Sequence, residues 1–155
     1  MLITRSALLV VSTLVLLAIP AASREKKVKR SELPATVQAT VTAQSQGATV
    51  RGFSEESENG QTYYEAELEI DGRSKDVLID PQGNVVEIEE EVAADALPAS
   101  VREGLQTKAA GSKLVKVESL TKQGKLVAYE AQVITKGKKS EIQVGPDGKP
   151  LDHWE

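Results

Sequence analysis

Carboxylates recur at every second residue in one stretch of the chain. Glu65, Glu67 and Glu69 alternate with apolar residues, so a β-strand would place all three on one face, roughly 7 Å apart. Glu87 and Glu89 could add a second row. Carboxylates grouped in this way could bind a hard cation such as calcium, and two of them could act as an acid/base pair. On an open sheet the same pattern is also typical of a solvated face, which is the interpretation that we favour.

Other residues that commonly carry chemistry are scarce. The chain has no cysteine and one histidine, so it lacks a thiol nucleophile and the usual ligands of zinc. His153 corresponds to Ile88 in the internal repeat described next, which favours a partly buried strand residue over a catalytic base. The sequence contains no Gly-x-Ser-x-Gly elbow. We therefore predict that the protein is not an enzyme and has no cofactor, no catalytic residue and no metal site.

Three anchors indicate an internal repeat. They keep their order, with offsets of 64 or 65 residues, and they read Leu33-Pro34-Ala35 and Leu97-Pro98-Ala99, Tyr64-Glu65-Ala66 and Tyr129-Glu130-Ala131, and Asp80-Pro81-Gln82-Gly83 and Gly145-Pro146-Asp147-Gly148. Such self-similarity is the signature of repeated structural units. We predict a first repeat at residues 31–91, a connector at 92–96 and a second repeat at 97–155.

Each repeat has the pattern of one helix followed by four strands. Leu33, Val37 and Val41 fall on one helical face, and the strands alternate apolar and polar residues. Asp71-Gly72 and Lys136-Gly137 are typical of hairpin turns. The predicted fold class is α+β, with two tandem units that each pack one helix on a four-stranded antiparallel sheet. The two units would lie side by side or form one continuous sheet under two helices.

The N-terminal residues resemble an export signal. Residues 1–23 combine Arg5, an apolar stretch at 7–19 and small residues suited to cleavage after Ala22 or Ser23. The apolar stretch is shorter than the ~20 residues that span a bilayer, so we expect no integral membrane segment after cleavage and an exported protein, periplasmic or extracellular. The basic segment at 24–30 is predicted to be a solvated linker, with a weak anchor to anionic lipid or polymer as the alternative.

Charge is distributed unevenly between the two repeats. Residues 33–91 contain thirteen acidic and three basic residues, a net charge of −10, whereas residues 97–155 contain seven acidic and ten basic residues, a net charge of +3. An acidic first repeat argues against binding to nucleic acid, because phosphates require a basic surface. It could steer a basic partner towards the first sheet, or it could simply attract the second repeat and keep the protein soluble.

Aromatic and apolar residues on the wet sheet face are candidate anchors for a protein partner. Strand alternation predicts that this face gathers Tyr63, Leu78, Ile134 and Trp154 among the carboxylates, and interface hot spots favour Tyr and Trp. The alternative is that a loop or the neighbouring repeat covers them. The predicted partner-binding residues are Tyr63, Glu65, Glu67, Leu78, Ile134 and Trp154.

The order of these motifs resembles a known family. A secretory signal precedes tandem units with a Leu-Pro-x-x-Val helix, a Tyr-Glu-Ala strand, a Val-x-Ile strand, an Asp-Pro-x-Gly turn and a closing strand near a tryptophan. This resembles the PepSY-like family of beta-lactamase-inhibitor-like proteins. The resemblance implies α+β units that offer a concave sheet surface to an enzyme, and a role in restraining secreted peptidases. The chain differs from the disulfide-containing beta-lactamase inhibitors because it lacks cysteine.

These observations predict an exported, non-catalytic protein-binding module that inhibits or regulates an extracytoplasmic hydrolase. The alternative is a cation-binding or small-ligand-binding protein that uses the acidic sheet face.

Overall fold

The computed structural model describes residues 24–58 and 60–155, so the predicted signal peptide at 1–23 lies outside the described residues. A short 3-10 turn at Arg30–Glu32 precedes the first of two helices. The helices are α1, Ala35–Gln44, and α2, Ala99–Ala109, and the strands are β1, Arg24–Lys27; β2, Thr49–Glu58; β3, Gln61–Ile70; β4, Arg73–Ile79; β5, Val85–Glu91; β6, Lys113–Lys122; β7, Lys125–Thr135; and β8, Lys138–Val144. Neither helix is long and apolar enough to cross a membrane.

The eight strands form one antiparallel sheet in which each strand pairs with its neighbours in the sequence. β5 pairs with β6 and joins the two halves, with Glu87 opposite Lys122 and Glu91 opposite Glu118. The prediction of two tandem units, each with its own four-stranded sheet, is therefore wrong. A strand at a sheet edge exposes unpaired N–H and C=O groups. One edge of β5 pairs with β4, and the groups on its other edge pair with β6. Of the two arrangements left open above, the continuous sheet is the one observed.

The basic segment at 24–30 contains a strand rather than a solvated linker. β1 pairs antiparallel with β2, with Lys27 opposite Ser54, and the Val28 N–H donates to the Phe53 carbonyl at 3.0 Å. Val28 also packs against the core under α1. Lysines on an edge strand discourage pairing with other chains, which gives the basic residues a structural use that a linker would not require.

The fourth strand predicted in the second half does not form. Residues 150–155 contain no strand, and His153 is exposed rather than partly buried. The repeat aligns Pro150 with Val85 of β5. A proline has no N–H to donate to a sheet ladder, so the second half ends its sheet at β8. The boundaries of the two repeats, at 31–91 and 97–155, stay a prediction.

Both helices pack on the same face of the sheet, over two separate apolar cores. Under α1, Leu68, Val77 and Ile79 are buried, whereas Tyr64 is only partly buried. The core under α2 contains the buried residues Leu97, Val101, Leu105, Val117, Tyr129, Ala131 and Val144. Each helix stays attached because it buries a stripe of aliphatic side chains that the sheet alone would leave in water.

The hairpin predictions are confirmed. Asp71-Gly72 and Lys136-Gly137 both have positive φ angles, 50° and 78° in the first pair and 50° and 80° in the second. Two consecutive residues with positive φ form the turn whose twist matches that of paired strands. Gln123-Gly124 has the same geometry and connects β6 to β7, a hairpin that the sequence analysis did not identify.

Candidate functional site

The sheet face opposite the two helices, called the open face below, is strongly acidic. Strand alternation puts apolar residues under the helices and their polar neighbours on the other side. Within the described chain, carboxylates on the open face include Glu56, Glu65, Glu67, Asp76, Glu87, Glu89, Glu118 and Glu130. Most of these side chains are half-buried, so the expectation of a fully solvated row at Glu65, Glu67 and Glu69 is wrong.

Three carboxylates lie side by side on neighbouring strands. Glu67 of β3 is opposite Asp76 of β4, and Asp76 is opposite Glu89 of β5. One carboxylate oxygen from each of Asp76, Glu89 and Glu118 lies within 4.8 Å of the other two. Like charges in directly opposed positions destabilise a sheet. An arrangement that costs stability in this way is typical of a functional surface.

A cleft of about 140 Å³ opens between these strands. Its walls are acidic, and one apolar side chain, that of Leu78, also lines it. The lining residues are Glu56, Glu65, Asp76, Leu78, Glu87 and Glu89. The cleft can therefore contact both a positive charge and a short aliphatic group.

Burial and mutual repulsion raise the pKa values of the carboxyl groups in this cleft. Burial, together with a hydrogen bond to Glu56, raises the pKa of Glu65 to about 9. Burial and the charge of Glu118 raise the pKa of Glu89 to about 8 and that of Asp76 to about 6. At neutral pH the face therefore holds protons that would leave if a cation bound there.

Three lysines around the cleft lie on the open face and each binds a carboxylate. Their pairs are Lys27 with Glu67, Lys116 with Glu118 at 2.6 Å, and Lys122 with Glu87 at 3.6 Å. The Lys116 Nζ also donates to the Ser74 hydroxyl at 3.3 Å. In the part of the chain that is described, Glu65, Asp76 and Glu89 form no such ion pair. The middle of the face is thus left with uncompensated acidic groups.

The structure brings four of the predicted partner-binding residues together. Glu65 is opposite Leu78 in the register of β3 and β4, and both line the cleft. Glu67 lies two residues along β3 and contacts Lys27. Tyr63 is on the same face beyond Glu65, and its hydroxyl donates to the Gln61 Oε1 at 2.7 Å. A partner that covered the cleft could contact this group as one surface.

Ile134 and Trp154 lie apart from this group. Ile134 belongs to β7, where it is opposite Lys113 and Lys139, three strands away from Leu78. Trp154 is 56% exposed and follows β8, the last strand of the sheet. Neighbouring strands are about 4.8 Å apart, so Ile134 does not reach the cleft, and Trp154 is not among the residues that line it. Their role in partner binding stays a prediction.

Several residues that shape the site were not predicted from the sequence, including Asp76, Glu118 and the three lysines. The period-two pattern carried the signal for Asp76, which alternates with Val77 in β4. Glu118 could not be found in the same way, because the register of β6 against β7 shifts between Leu114 and Lys116. A bulge changes which residues share a face without leaving a mark in the local sequence.

The C-terminal residues attach to the open face beside β8. The Glu155 N–H donates to the Gln143 Oε1 at 2.9 Å, and the Gln143 Nε2 donates to the Glu130 carboxylate at 2.8 Å. The His153 Nε2 lies 3.0 Å from the Glu155 carboxylate. Gln143 is buried under this segment, so the C-terminal residues cover part of the open face in the second half of the chain.

No family model matches the chain, and no curated protein matches it. Several solved structures do. A BLIP-like protein from Bacteroides fragilis is 22% identical with a TM-score of 0.57, and the match covers 77% of this chain and 83% of that one. A DUF2874 family protein from Bacteroides ovatus is 21% identical with a TM-score of 0.60, covering 77% and 85%.

A protein from Bacteroides eggerthii that is described as periplasmic is 20% identical with a TM-score of 0.62, covering 77% of this chain and 86% of its own. Identities in this range establish a shared fold. The PepSY-like assignment is not supported by these matches and stays a prediction. The chain therefore shares its fold with a BLIP-like protein, a DUF2874 family protein and a protein described as periplasmic, all from Bacteroides.

Proposed function

We propose that this protein is an exported, non-catalytic module whose open face binds a protein partner. The partner would be an extracytoplasmic hydrolase that the module inhibits or regulates. The observation that carries the proposal is the row Glu67, Asp76 and Glu89, directly opposed on three strands. Such a row weakens the sheet, and it lies beside a cleft that the described residues leave open. A surface that served only for solubility would not require charges in opposed positions.

The comparisons support this reading in two ways. A structure with the same fold is described as BLIP-like, which agrees with the beta-lactamase-inhibitor-like resemblance of the sequence motifs. Another is described as periplasmic, which agrees with export through the apolar segment at 7–19. The PepSY-like resemblance adds a secreted peptidase as the class of hydrolase.

A capture experiment tests the proposal. The purified protein, immobilised on a support, is incubated with the exported fraction of the source organism, and bound proteins are identified by mass spectrometry. A double variant, Glu65→Lys with Glu89→Lys, reverses charge in the cleft, whereas Glu103→Lys changes an exposed residue of α2 on the other side of the sheet. We expect wild type and Glu103→Lys to retain the same protein and the double variant to lose it.

The captured protein is then assayed for hydrolase activity. We expect its activity to change in proportion to the amount of wild-type module added, because occupation of the partner by the module sets the fraction affected. Retention of the same protein by the cleft double variant would contradict the use of the open face. Unchanged activity at saturation would contradict the regulatory role.

A cation-binding protein is the second candidate function. The specific observation is that oxygens of Asp76, Glu89 and Glu118 lie within 4.8 Å of one another, and calcium prefers several carboxylate oxygens. The Lys116 ammonium already binds Glu118 at 2.6 Å and would have to move before an ion could use that carboxylate. For this reason the protein partner is the function that the geometry favours.

A further inference from the structure

The cleft contrasts with its surroundings in how its charges are paired. Lysines on the open face bind carboxylates at three places around the cleft, through Lys27, Lys116 and Lys122. In contrast, Glu65 and Glu89 inside the cleft have no lysine or arginine partner among the described residues, although both are half-buried. The carboxyl groups of the cleft are thus able to form ion pairs of the kind that lysines already form around it.

We propose that the partner presents a lysine or arginine side chain, which enters the cleft between Glu65 and Glu89. This inference rests on the proposed function, because it names the chemistry of the partner at the same face. The occupant is a basic side chain of a protein, held by charge complementarity to the cleft.

The contact between Lys27 and Glu67 is a model for this recognition within the chain itself. Lys27 belongs to the edge strand β1, and its Nζ lies between the Glu25 carboxylate, at 2.8 Å, and that of Glu67. Hydrogen bonds to these two carboxylates raise the pKa of Lys27. An ammonium group that approaches from a neighbouring extended segment is therefore bound by this face without any change in the sheet.

The shape of the cleft fits a long basic side chain better than a bare ion. Leu78 lines the cleft between the carboxylates, and lysine and arginine carry an aliphatic stem that packs on apolar surface while the charged end stays near polar groups. A bare ion has no aliphatic part that could pack on Leu78. The volume of about 140 Å³ also leaves room for more than a single cation.

A buried hydroxyl beside Glu65 provides an independent observation. Ser54 is fully buried, and its Oγ has no hydrogen-bond partner within the described structure. Ser54 is directly opposite Glu65 in the register of β2 and β3. Directly opposed residues have Cβ atoms about 4.5–5.5 Å apart, so the unpartnered hydroxyl lies beside Glu65, one of the residues that line the cleft. A guanidinium or ammonium group has several N–H donors and could serve both.

The proposal has a proton-linked consequence. Glu65 faces Glu56 on β2, Asp76 on β4 and Glu67 on its own strand, and Glu89 faces Glu118, Glu130, Glu87 and Asp76. A bound cation favours the charged form of both groups, so protons leave as the basic side chain enters. Because the pKa values of Glu65 and Glu89 are about 9 and about 8, affinity for a lysine should rise between pH 6 and pH 9.

Titration calorimetry with a hexalysine peptide tests the proposal, with hexa-acetyl-lysine as the uncharged control and calcium chloride as the competing cation. The cleft variant is Glu65→Gln with Glu89→Gln. The matched variant is Asp95→Asn with Glu103→Gln, which makes two carboxyl-to-amide changes at exposed positions away from the cleft. Thermal melts verify that both variants fold.

We expect hexalysine to bind wild type and the matched variant alike, and the cleft variant about tenfold more weakly, a loss in keeping with two partly buried charge pairs. Measured in buffers of different ionisation enthalpy, binding to wild type should release protons, and binding to the cleft variant should release fewer.

Equal binding of hexalysine by the cleft variant and the matched variant would overturn the proposal. Calcium binding that depends on Glu65 and Glu89, without any binding of hexalysine, would also overturn it.

The result with hexalysine can be distinguished from the result of the capture experiment. If hexalysine cannot displace a captured partner, the proposal that a basic side chain enters the cleft is wrong, and the proposed function stands. If hexalysine binds the cleft but no partner is captured, the result counts against the proposed function alone.

Discussion

Gly104 of α2 packs against Gly148 so closely that a Cβ atom on Gly104 would lie 2.0 Å from the Gly148 carbonyl oxygen. Gly148 in turn approaches the Ser100 carbonyl, and its φ angle is +82°. This contact joins the helix to the turn that follows β8. A helical glycine costs about 1 kcal/mol relative to alanine, and here that cost permits a close approach between two segments of backbone.

We therefore expect Gly104→Ala to destabilise the protein although alanine favours the helix. Overpacking at a tight contact costs about 1–3 kcal/mol, which exceeds the gain in helix propensity of about 1 kcal/mol. Urea denaturation measures the free energy of unfolding, and Gln106→Ala at an exposed position of the same helix is the control. If Gly104→Ala were as stable as wild type, the contact would have to be looser than described.

Leu68 and Leu78 lie on opposite faces of the sheet. Truncating each to alanine should therefore distinguish a residue that stabilises the core from one that contributes to partner binding. Leu68 is 2% exposed under α1, so Leu68→Ala should lower the free energy of unfolding by about 2–5 kcal/mol. Leu78 is half-buried in the cleft, and Leu78→Ala should cost less stability while weakening partner binding. Equal losses of stability from the two changes would contradict the assignment of faces.

The stability of the protein should fall as the pH rises from 5 to 9. Burial raises the pKa of Glu65 to about 9 and of Glu89 to about 8, above those of the unfolded chain. A raised carboxyl pKa means that the folded state binds more protons, so its contribution to stability is complete below the unfolded pKa and is lost as the pH rises through the folded one.

Melting temperatures measured across this range test the pH dependence. Glu65→Gln and Glu89→Gln should each flatten the curve and raise the melting temperature at pH 9 more than at pH 5. Glu103→Gln, on an exposed helical position, should leave its shape unchanged. A wild-type curve that rose with pH over this interval would be inconsistent with carboxyl groups that stay protonated.

Calcium should not raise the melting temperature of the wild-type protein. Lys116 already neutralises Glu118 at 2.6 Å, which leaves Asp76 and Glu89 as the free carboxylates of that group. A ligand that bound only the folded state would stabilise it in proportion to its concentration, so the measurement is a melt at increasing calcium chloride. If the melting temperature rose to saturation with calcium, and Glu89→Gln abolished the rise, cation binding would be favoured over partner binding as the function.

Tyr63→Ala and Trp154→Ala should leave the melting temperature nearly unchanged. Trp154 is 56% exposed, and Tyr63 is partly exposed on the open face, so neither change opens a cavity in a core. Tyr63 lies nearer the cleft, and its loss should weaken partner affinity more than that of Trp154. A large fall in stability for Trp154→Ala, with unchanged affinity, would make Trp154 a structural residue of the C-terminal segment.

Local chemistry in the sequence determined the elements of this protein. The stripe of Leu33, Val37 and Val41 predicted the first helix and its buried face, because helical periodicity depends only on residues within a few turns. Asp71-Gly72 and Lys136-Gly137 predicted two hairpins for the same reason, since positive φ angles are a property of the turn residues themselves. Alternation in β3 correctly predicted that Leu68 and Glu67 lie on opposite faces of the sheet.

Tertiary structure alone decided how the halves combine and where the carboxylates meet. Nothing in the local sequence states that β5 pairs with β6, because any strand edge can pair with any other, and the choice depends on the burial and register of the whole sheet. The pairing brings Glu118 within reach of Asp76 and Glu89, and the bulge in β6 decides which of its residues share that face. The acidic cleft is thus a product of long-range register, whereas the strands that form it were readable from alternation along the chain.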